Sequence, residues 1–252
     1  MVRQALAFLL LLVLAAGCGS SGDTTTFTPE SRFAAAKALF DDEDYEEAIR
    51  EFNIITLQYQ GSAVAADAQW YLAESRFIRE EYLLAQFEFN AFRTSYRANA
   101  RVPEAQYKIG LCYYYLSYPW RLDQDYTKKA IDELQAFVEY YPAHELAVDA
   151  EAKIRELTNR LAQKQYETAN LYASMQYYKA ALLSYDVIIE KYHDTDWAPL
   201  ATVEKAEVLL SRLRYREAEQ LVNDFLKKYP DSVLRRRAEN VKAKVASELE
   251  GK

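Results

Sequence analysis

The chain has 252 residues and a formal net charge of −7, from 31 basic and 38 acidic side chains. That balance argues against a nucleic-acid-binding protein, whose contact face needs a basic excess to neutralise phosphates. Six Gly and six Pro in the whole chain, with Ala, Leu, Glu, Lys and Gln abundant, point to helices, and 21 Tyr supply many rings for packing or recognition.

The first element is a targeting signal. Arg3 is followed by the apolar run Leu9-Leu10-Leu11-Leu12-Val13-Leu14 and then by Ala15-Ala16-Gly17-Cys18, the pattern of a secreted bacterial lipoprotein. The run is too short for a permanent membrane span, and small residues lead into its end. Residues 1–17 are therefore expected to be removed, leaving Cys18 to carry lipid, where two or more acyl chains anchor stably. Ala15 stands where such signals commonly have Leu, and the alternative is an ordinary secretory signal that contains a Cys. Gly19, rather than the Asp that retains many lipoproteins at the inner membrane, favours the outer membrane. Residues 18–29 then comprise the lipidated Cys and a polar, flexible tether. Removal of Arg3 takes the charge from −7 to −8. With Cys18 acylated, Cys112 carries the one free thiol expected in the mature chain, so no intramolecular disulfide can form. Between Leu111 and Tyr113 it reads as a small buried apolar residue, the alternative being a redox role.

Five short segments recur after the tether: Asp44-Tyr45-Glu46-Glu47-Ala48, Glu81-Tyr82-Leu83-Leu84-Ala85, Asp125-Tyr126-Thr127-Lys128-Lys129-Ala130, Tyr177-Tyr178-Lys179-Ala180-Ala181 and Arg214-Tyr215-Arg216-Glu217-Ala218. Each final Ala is followed eleven residues later by a Tyr: Tyr59, Tyr96, Tyr141, Tyr192 and Tyr229. Twelve residues before it stands another small residue in four copies, Ala36, Ala73, Ala169 and Ala206, while Gly110 takes that role in the third at a distance of 20. Positions four and seven after the second small residue are Phe52 and Ile55, Phe89 and Phe92, Leu134 and Phe137, Tyr185 and Ile188, and Val222 and Phe225, which share one helical face. The pattern predicts a helix pair per repeat, with small residues letting two backbones approach and larger ones filling the gap to the next pair. Segments such as Tyr229-Pro230-Asp231-Ser232 predict where one helix stops and the next is capped.

These features resemble the tetratricopeptide repeat, over about residues 30 to 245. The resemblance implies an all-α solenoid of five helix pairs with a continuous core and a concave surface. Two irregularities stand out. The third copy carries an eight-residue insertion around Tyr118-Pro119-Trp120-Arg121-Leu122-Asp123-Gln124, and Tyr141 to Ala169 spans 28 residues where the other junctions span 14. Fourteen extra residues are close to four helical turns, so the spacing predicts one helix of about 30 residues within 143–175, roughly 45 Å long, linking repeats three and four. The chain then divides into 30–142 for repeats one to three and 143–252 for the long helix, repeats four and five and a C-terminal helix.

Material for catalysis or metal binding is sparse, and no cofactor is expected. His144 and His193 both fall at repeat junctions and read as loop or capping residues. Glu74-Ser75-Arg76 is similar to the Glu-Ser dipeptide of lytic transglycosylases, but Glu74 falls beside the packing residue Ala73 and the Gly-Leu-Met-Gln companion is absent. Asp41-Asp42-Glu43-Asp44 reads as a solvated turn with a capping Asp, since it lacks the Gly and terminal Glu of a calcium loop. Arg235-Arg236-Arg237 with Lys242 and Lys244 has two readings, a solvated helix face or a contact for an acidic partner. On the first helices of repeats one to three, the positions three before and four after the small residue are aromatic: Phe33 and Phe40, Trp70 and Phe77, Tyr107 and Tyr114. Inter-helix packing and a groove for an extended or hairpin peptide are both open for this stripe.

Pro103-Glu104-Ala105-Gln106-Tyr107 with Gly110, Leu122-Asp123-Gln124 with Thr127 and Ala130, and Asn159-Arg160-Leu161-Ala162 with Tyr166-Glu167 match recurring segments of a known family. With the lipoprotein signal, the insertion and the long helix, they resemble BamD, the family of outer-membrane assembly lipoproteins, over nearly the whole chain. Tyr59-Gln60-Gly61 departs from the Tyr-Pro that commonly ends the first repeat there. The resemblance implies a non-enzymatic, lipid-anchored scaffold at the periplasmic face of the outer membrane. Its implied partners are the periplasmic domains of a BamA-like barrel protein, other assembly lipoproteins and unfolded outer-membrane proteins. It also implies substrate contact in the N-terminal repeats and a partner-facing role for Arg160. The alternative from a different class of scaffold is a periplasmic repeat adaptor that coordinates cell-wall synthesis with envelope constriction.

Overall fold

The computed structural model describes residues 28–250, so the signal sequence, Cys18 and the tether up to Phe27 lie outside the described residues. The described residues form α1 (Pro29–Asp41), α2 (Tyr45–Gln58), α3 (Ala65–Ile78), α4 (Tyr82–Ser95), α5 (Val102–Leu116), α6 (Asp125–Tyr140), α7 (Ala147–Ser174), α8 (Tyr178–Lys191), α9 (Trp197–Ser211), α10 (Tyr215–Lys228) and α11 (Arg235–Glu250). Each helix packs on the next, and α1 on α3, α7 on α9 and α9 on α11 also meet directly. This is the tetratricopeptide-repeat solenoid expected from the spacing. Its first (A) helices are α1, α3, α5, the C-terminal half of α7, and α9. Its second (B) helices are α2, α4, α6, α8 and α10, with α11 closing the end.

The small residues sit where the helices of a pair cross. Ala36, Ala48, Ala73, Ala85, Ala130, Ala169, Ala181, Ala206 and Ala218 are all fully buried, as are Phe52, Phe89, Phe92, Leu134 and Phe137 beside them. In the third pair the approach is closest. A Cβ built on Gly110 would lie 2.6 Å from Leu134 Cδ2 and 2.7 Å from its Cγ, so only glycine lets α5 sit this near α6. Cys112 is fully buried on the same helix, and burial pushes its thiol up to about 12, which fits a packing residue.

Turn chemistry explains the helix ends. Thr28 caps α1, its Oγ1 accepting from the Ser31 N–H at 3.2 Å, and Asp44 caps α2 by accepting from the Glu47 N–H at 3.4 Å. The acidic run at residues 41–44 is therefore the solvated turn that the sequence indicated. Four A-to-B turns place a non-glycine residue in the left-handed region: Glu43 (φ 64°), Glu80 (φ 60°), Gln176 (φ 63°) and Leu213 (φ 61°). In each, the next N–H reaches back to a carbonyl five residues earlier: Asp44 to Leu39 at 2.9 Å, Glu81 to Arg76 at 2.9 Å, Tyr177 to Tyr172 at 2.8 Å and Arg214 to Leu209 at 3.0 Å. The five B-to-A junctions share one turn, with the Tyr59, Tyr96, Tyr141, Tyr192 and Tyr229 carbonyls accepting from the third residue on at 2.8–3.2 Å. Tyr59-Gln60-Gly61 thus makes the same turn as Tyr229-Pro230. His144 belongs to such a junction, its Nδ1 accepting from the Leu146 N–H at 3.2 Å, and His193 to another, with its Nε2 3.2 Å from Asp194.

α7 has 28 residues and, at about 1.5 Å per residue, runs roughly 42 Å. Its start at Ala147 rather than 143 follows from the turn at His144. The N-terminal half packs Ala147, Ala150 and Leu157 on α6, while Ala169 and Tyr166 of the other half pack on Ala181, Tyr185 and Ile188 of repeat four. One helix therefore closes repeat three and opens repeat four.

Candidate functional site

The aromatic stripe lies on the A helices, but the six rings are not alike. Trp70 and Tyr107 are each 6% exposed and belong to the core, so at those two positions of the stripe the rings serve inter-helix packing, one of the two readings the sequence left open. Trp70 stands edge-on to Phe89 and Phe92 of α4, with ring centroids 5.4 and 5.3 Å away, and the Arg101 guanidinium lies over it at 5.4 Å. Tyr107 packs on Phe137 at 5.5 Å and its hydroxyl donates to Asp149 of α7. Burial and that carboxylate together raise the Tyr107 phenol above its ordinary range.

Phe33, Phe40, Phe77 and Tyr114 are half-buried. Phe33 and Phe40 meet Tyr71 at 6.1 and 5.0 Å, and Tyr71 stacks on Phe52 at 5.8 Å. Phe77 meets Tyr82 at 5.5 Å and Tyr115 at 5.9 Å, and those two tyrosines stack on each other at 5.0 Å. The Tyr114 hydroxyl donates to Glu156 at 2.7 Å, and that bond, aided by burial, pushes its phenol up to about 12. Cations cover these rings: Lys37 over Phe40 at 5.6 Å, Lys108 over Phe77 at 4.6 Å and Lys153 over Tyr114 at 5.2 Å. Lys108 also ties α5 to α3 through Glu74 at 2.9 Å, as Arg101 does through Asp67 at 3.0 Å. Glu74 is thereby an ion-pair partner within the A-helix layer. Its carboxyl is raised by burial and pulled back down by Lys108. Tyr71 and Tyr115 were missed in the sequence, although Tyr115 falls seven residues after Lys108 and therefore shares its face.

A second site gathers around Arg160. A cleft of about 510 Å³ lies between the insertion, the middle of α7 and the start of α9, with Trp120, Arg160 and Trp197 on its walls. Arg160 donates to Ser117 Oγ at 2.6 Å and to Glu156 at 2.8 Å. Lys164 donates to the Leu122 carbonyl at 2.6 Å, so two cations of α7 clamp the insertion. Gln124 organises the loop from within. It is 4% exposed, its Nε2 donates to the Pro119, Leu122 and Asp123 carbonyls at 2.9, 3.1 and 3.0 Å, and its Oε1 accepts from Thr127 at 2.9 Å. On the far side of the cleft, Asn159 Oδ1 accepts from the Asp196 N–H at 3.0 Å.

Residues 26–212, about three quarters of the chain, match the family model YfiO, described as outer membrane lipoprotein. The chain belongs to that family, the BamD-type outer-membrane lipoproteins. The match takes in the insertion, the long helix and Arg160, and ends before α10. No curated protein matches this YfiO-family chain. Among solved structures, the TPR2AB-domain:pHSP90 complex of yeast Sti1 is 18% identical, with 88% of this chain and 84% of that one covered and a TM-score of 0.46. A tetratricopeptide repeat protein from Parabacteroides merdae is 16% identical over 88% of this chain and 78% of that one, with a TM-score of 0.38.

Remaining sequence features of the YfiO-family chain have structural roles. Arg237 bridges Glu204 at 2.8 Å and Glu207 at 2.5 Å, which raises its guanidinium further, and Arg235 pairs with Glu239 at 2.9 Å. Part of the basic C-terminal cluster therefore docks α11 onto α9. Among the described residues no group of three or more His, Cys, Asp or Glu side chains is placed to hold a metal, and no helix is long and apolar enough to cross a membrane.

Proposed function

We propose that this YfiO-family chain is a non-enzymatic scaffold of outer-membrane β-barrel assembly, held at the periplasmic face by lipid on Cys18 and the tether of residues 18–29. The observation that carries the reading is the family match across residues 26–212. In this reading the periplasmic domains of a BamA-like barrel protein seat in the cleft at Arg160. A guanidinium on a rigid 28-residue helix, flanked by Trp120 and Trp197, has the composition of an interface anchor. The A-helix face of repeats one to three takes segments of unfolded outer-membrane proteins. Phe33, Phe40, Phe77 and Tyr114 supply ring surface there, while Trp70 and Tyr107 support them from beneath. Other assembly lipoproteins would bind elsewhere on the solenoid.

The test is recovery of partners with the native chain from detergent-solubilised outer membranes. A BamA-like barrel protein is expected in the eluate, reduced by about tenfold with Arg160→Glu. Absence of any such protein from the wild-type eluate would overturn the reading, and recovery of cell-wall synthesis proteins in its place would establish the adaptor alternative.

A further inference from the structure

The chain is acidic overall, yet the cleft between α8 and α10 is lined by more cations than carboxylates. A space of about 500 Å³ opens between α8 and α10, near the end where the A-to-B turns lie. Four cations line it, Lys179, Lys205, Arg212 and Arg214, against two carboxylates, Asp186 and Glu217. Both carboxylates are already engaged, Asp186 by Lys205 and Glu217 by Arg214, whose Nε lies 2.6 Å from Oε1. Lys179 and Arg212 are left as two surplus positive charges, and Arg212 lies over the Tyr178 ring at 4.7 Å.

The lips of this cleft are apolar. Leu182 and Leu183 of α8 line it, and Leu183 is 60% exposed. Arg214 and Glu217 also lie past residue 212, where the family match ends.

We propose that the α8–α10 cleft docks an acidic segment of a partner protein that carries a leucine or aromatic side chain. Its carboxylates meet Lys179 and Arg212, and its apolar side chain lies against Leu182 and Leu183. The site is recessed between two helices, which suits a peptide segment, whereas an anionic membrane surface requires a protruding face. The inference is independent of the barrel-assembly reading, because it rests on the charge and shape of this cleft alone.

The experiment is calorimetric titration of the full chain, in zwitterionic detergent, with a ten-residue peptide alternating glutamate and leucine. Comparison arms are the lysine–leucine and glutamate–serine peptides and phosphatidylglycerol vesicles. Saturable binding of the glutamate–leucine peptide is expected, weakened by salt and by about tenfold in Lys179→Glu/Arg212→Glu. Leu183→Ser, at an exposed lining position, should also weaken it while leaving the melting temperature nearly unchanged, which keeps the test decisive if the double variant folds poorly. Equal affinity for the lysine–leucine or glutamate–serine peptide, no loss in either variant, or capture by vesicles without peptide binding would each overturn the proposal.

Discussion

Gly110→Ala should destabilise the protein, against the sign that helix propensity gives. In the interior of an exposed helix the same change gains about 1 kcal/mol. Here the new Cβ would stand 2.6 Å from Leu134 Cδ2 and 2.7 Å from Cγ, with the Leu134 backbone N at 3.4 Å. Comfortable carbon contacts need about 3.5–4.0 Å, and Leu134 is fully buried, so it has no free volume to swing into. Overpacking of this kind costs about 1–3 kcal/mol, which leaves a net loss of about 1 kcal/mol, or roughly 2–4 °C in melting temperature for a chain of this size. The equivalent pair in repeat five is Ala206 with Val222, both fully buried without a clash. Gly110→Ala/Leu134→Val copies that pair, and it should be less destabilised than the sum of the two single changes by about 0.5–2 kcal/mol. Urea melts of the four proteins give the cycle directly. A Gly110→Ala variant more stable than wild type by about 1 kcal/mol would show that the helices part freely and that the closeness of α5 to α6 is not enforced by packing.

Trp70→Ala should cost about 3–5 kcal/mol because the ring fills the space between Phe89 and Phe92, whereas Tyr115→Ala, at a 52% exposed ring, should cost under about 1 kcal/mol; thermal melts of the two variants check this. Leu213→Gly should raise stability by about 0.5–1 kcal/mol, since relief of a left-handed leucine outweighs the added freedom of the unfolded chain, measured by urea unfolding. Alkaline titration should unfold the protein progressively above about pH 10. Tyr107, Tyr114 and Tyr185 have folded-state phenol values raised above the unfolded one, Tyr114 to about 12. Their stabilisation is therefore complete below the unfolded value and lost as pH rises toward the folded values. The tyrosinate absorbance of these three, taken as the difference between wild type and the Tyr107→Phe/Tyr114→Phe/Tyr185→Phe variant, should change together with far-UV circular dichroism; its appearance well before loss of helix would contradict the reasoning. Gln124→Leu should remove the amide that the Pro119, Leu122 and Asp123 carbonyls share and expose residues 117–123 to proteolysis, read by limited digestion and mass spectrometry.

The repeat register was legible because it is a backbone requirement. Two helices can cross at this separation only where both present Ala or Gly, so Ala36, Ala48 and their counterparts had to recur at fixed offsets, and the apolar residues four and seven further on followed onto the buried face. The long helix was legible for a similar reason: an excess of 14 residues returns the apolar stripe to nearly the same side only if the chain stays helical. The aromatic stripe was half legible. Periodicity places a ring on one side of an A helix, but its exposure depends on what the neighbouring repeat lays over it. Tyr107 is buried because Asp149 of the displaced long helix reaches its hydroxyl, and Trp70 because Arg101 of the next repeat lies on its face. Neither contact follows from spacing within one helix. Arg160 was singled out by family resemblance alone, and its orientation toward Ser117 depends on an eight-residue insertion folded around the Gln124 amide, a set of side-chain to backbone bonds with no periodic signature. Leu213 was illegible in the opposite sense, since glycine is the residue that a left-handed turn leads one to expect. The insertion with its clamp is where the pattern fails over a whole surface and where this solenoid departs from a plain stack of helix pairs, so partner recognition is best sought there.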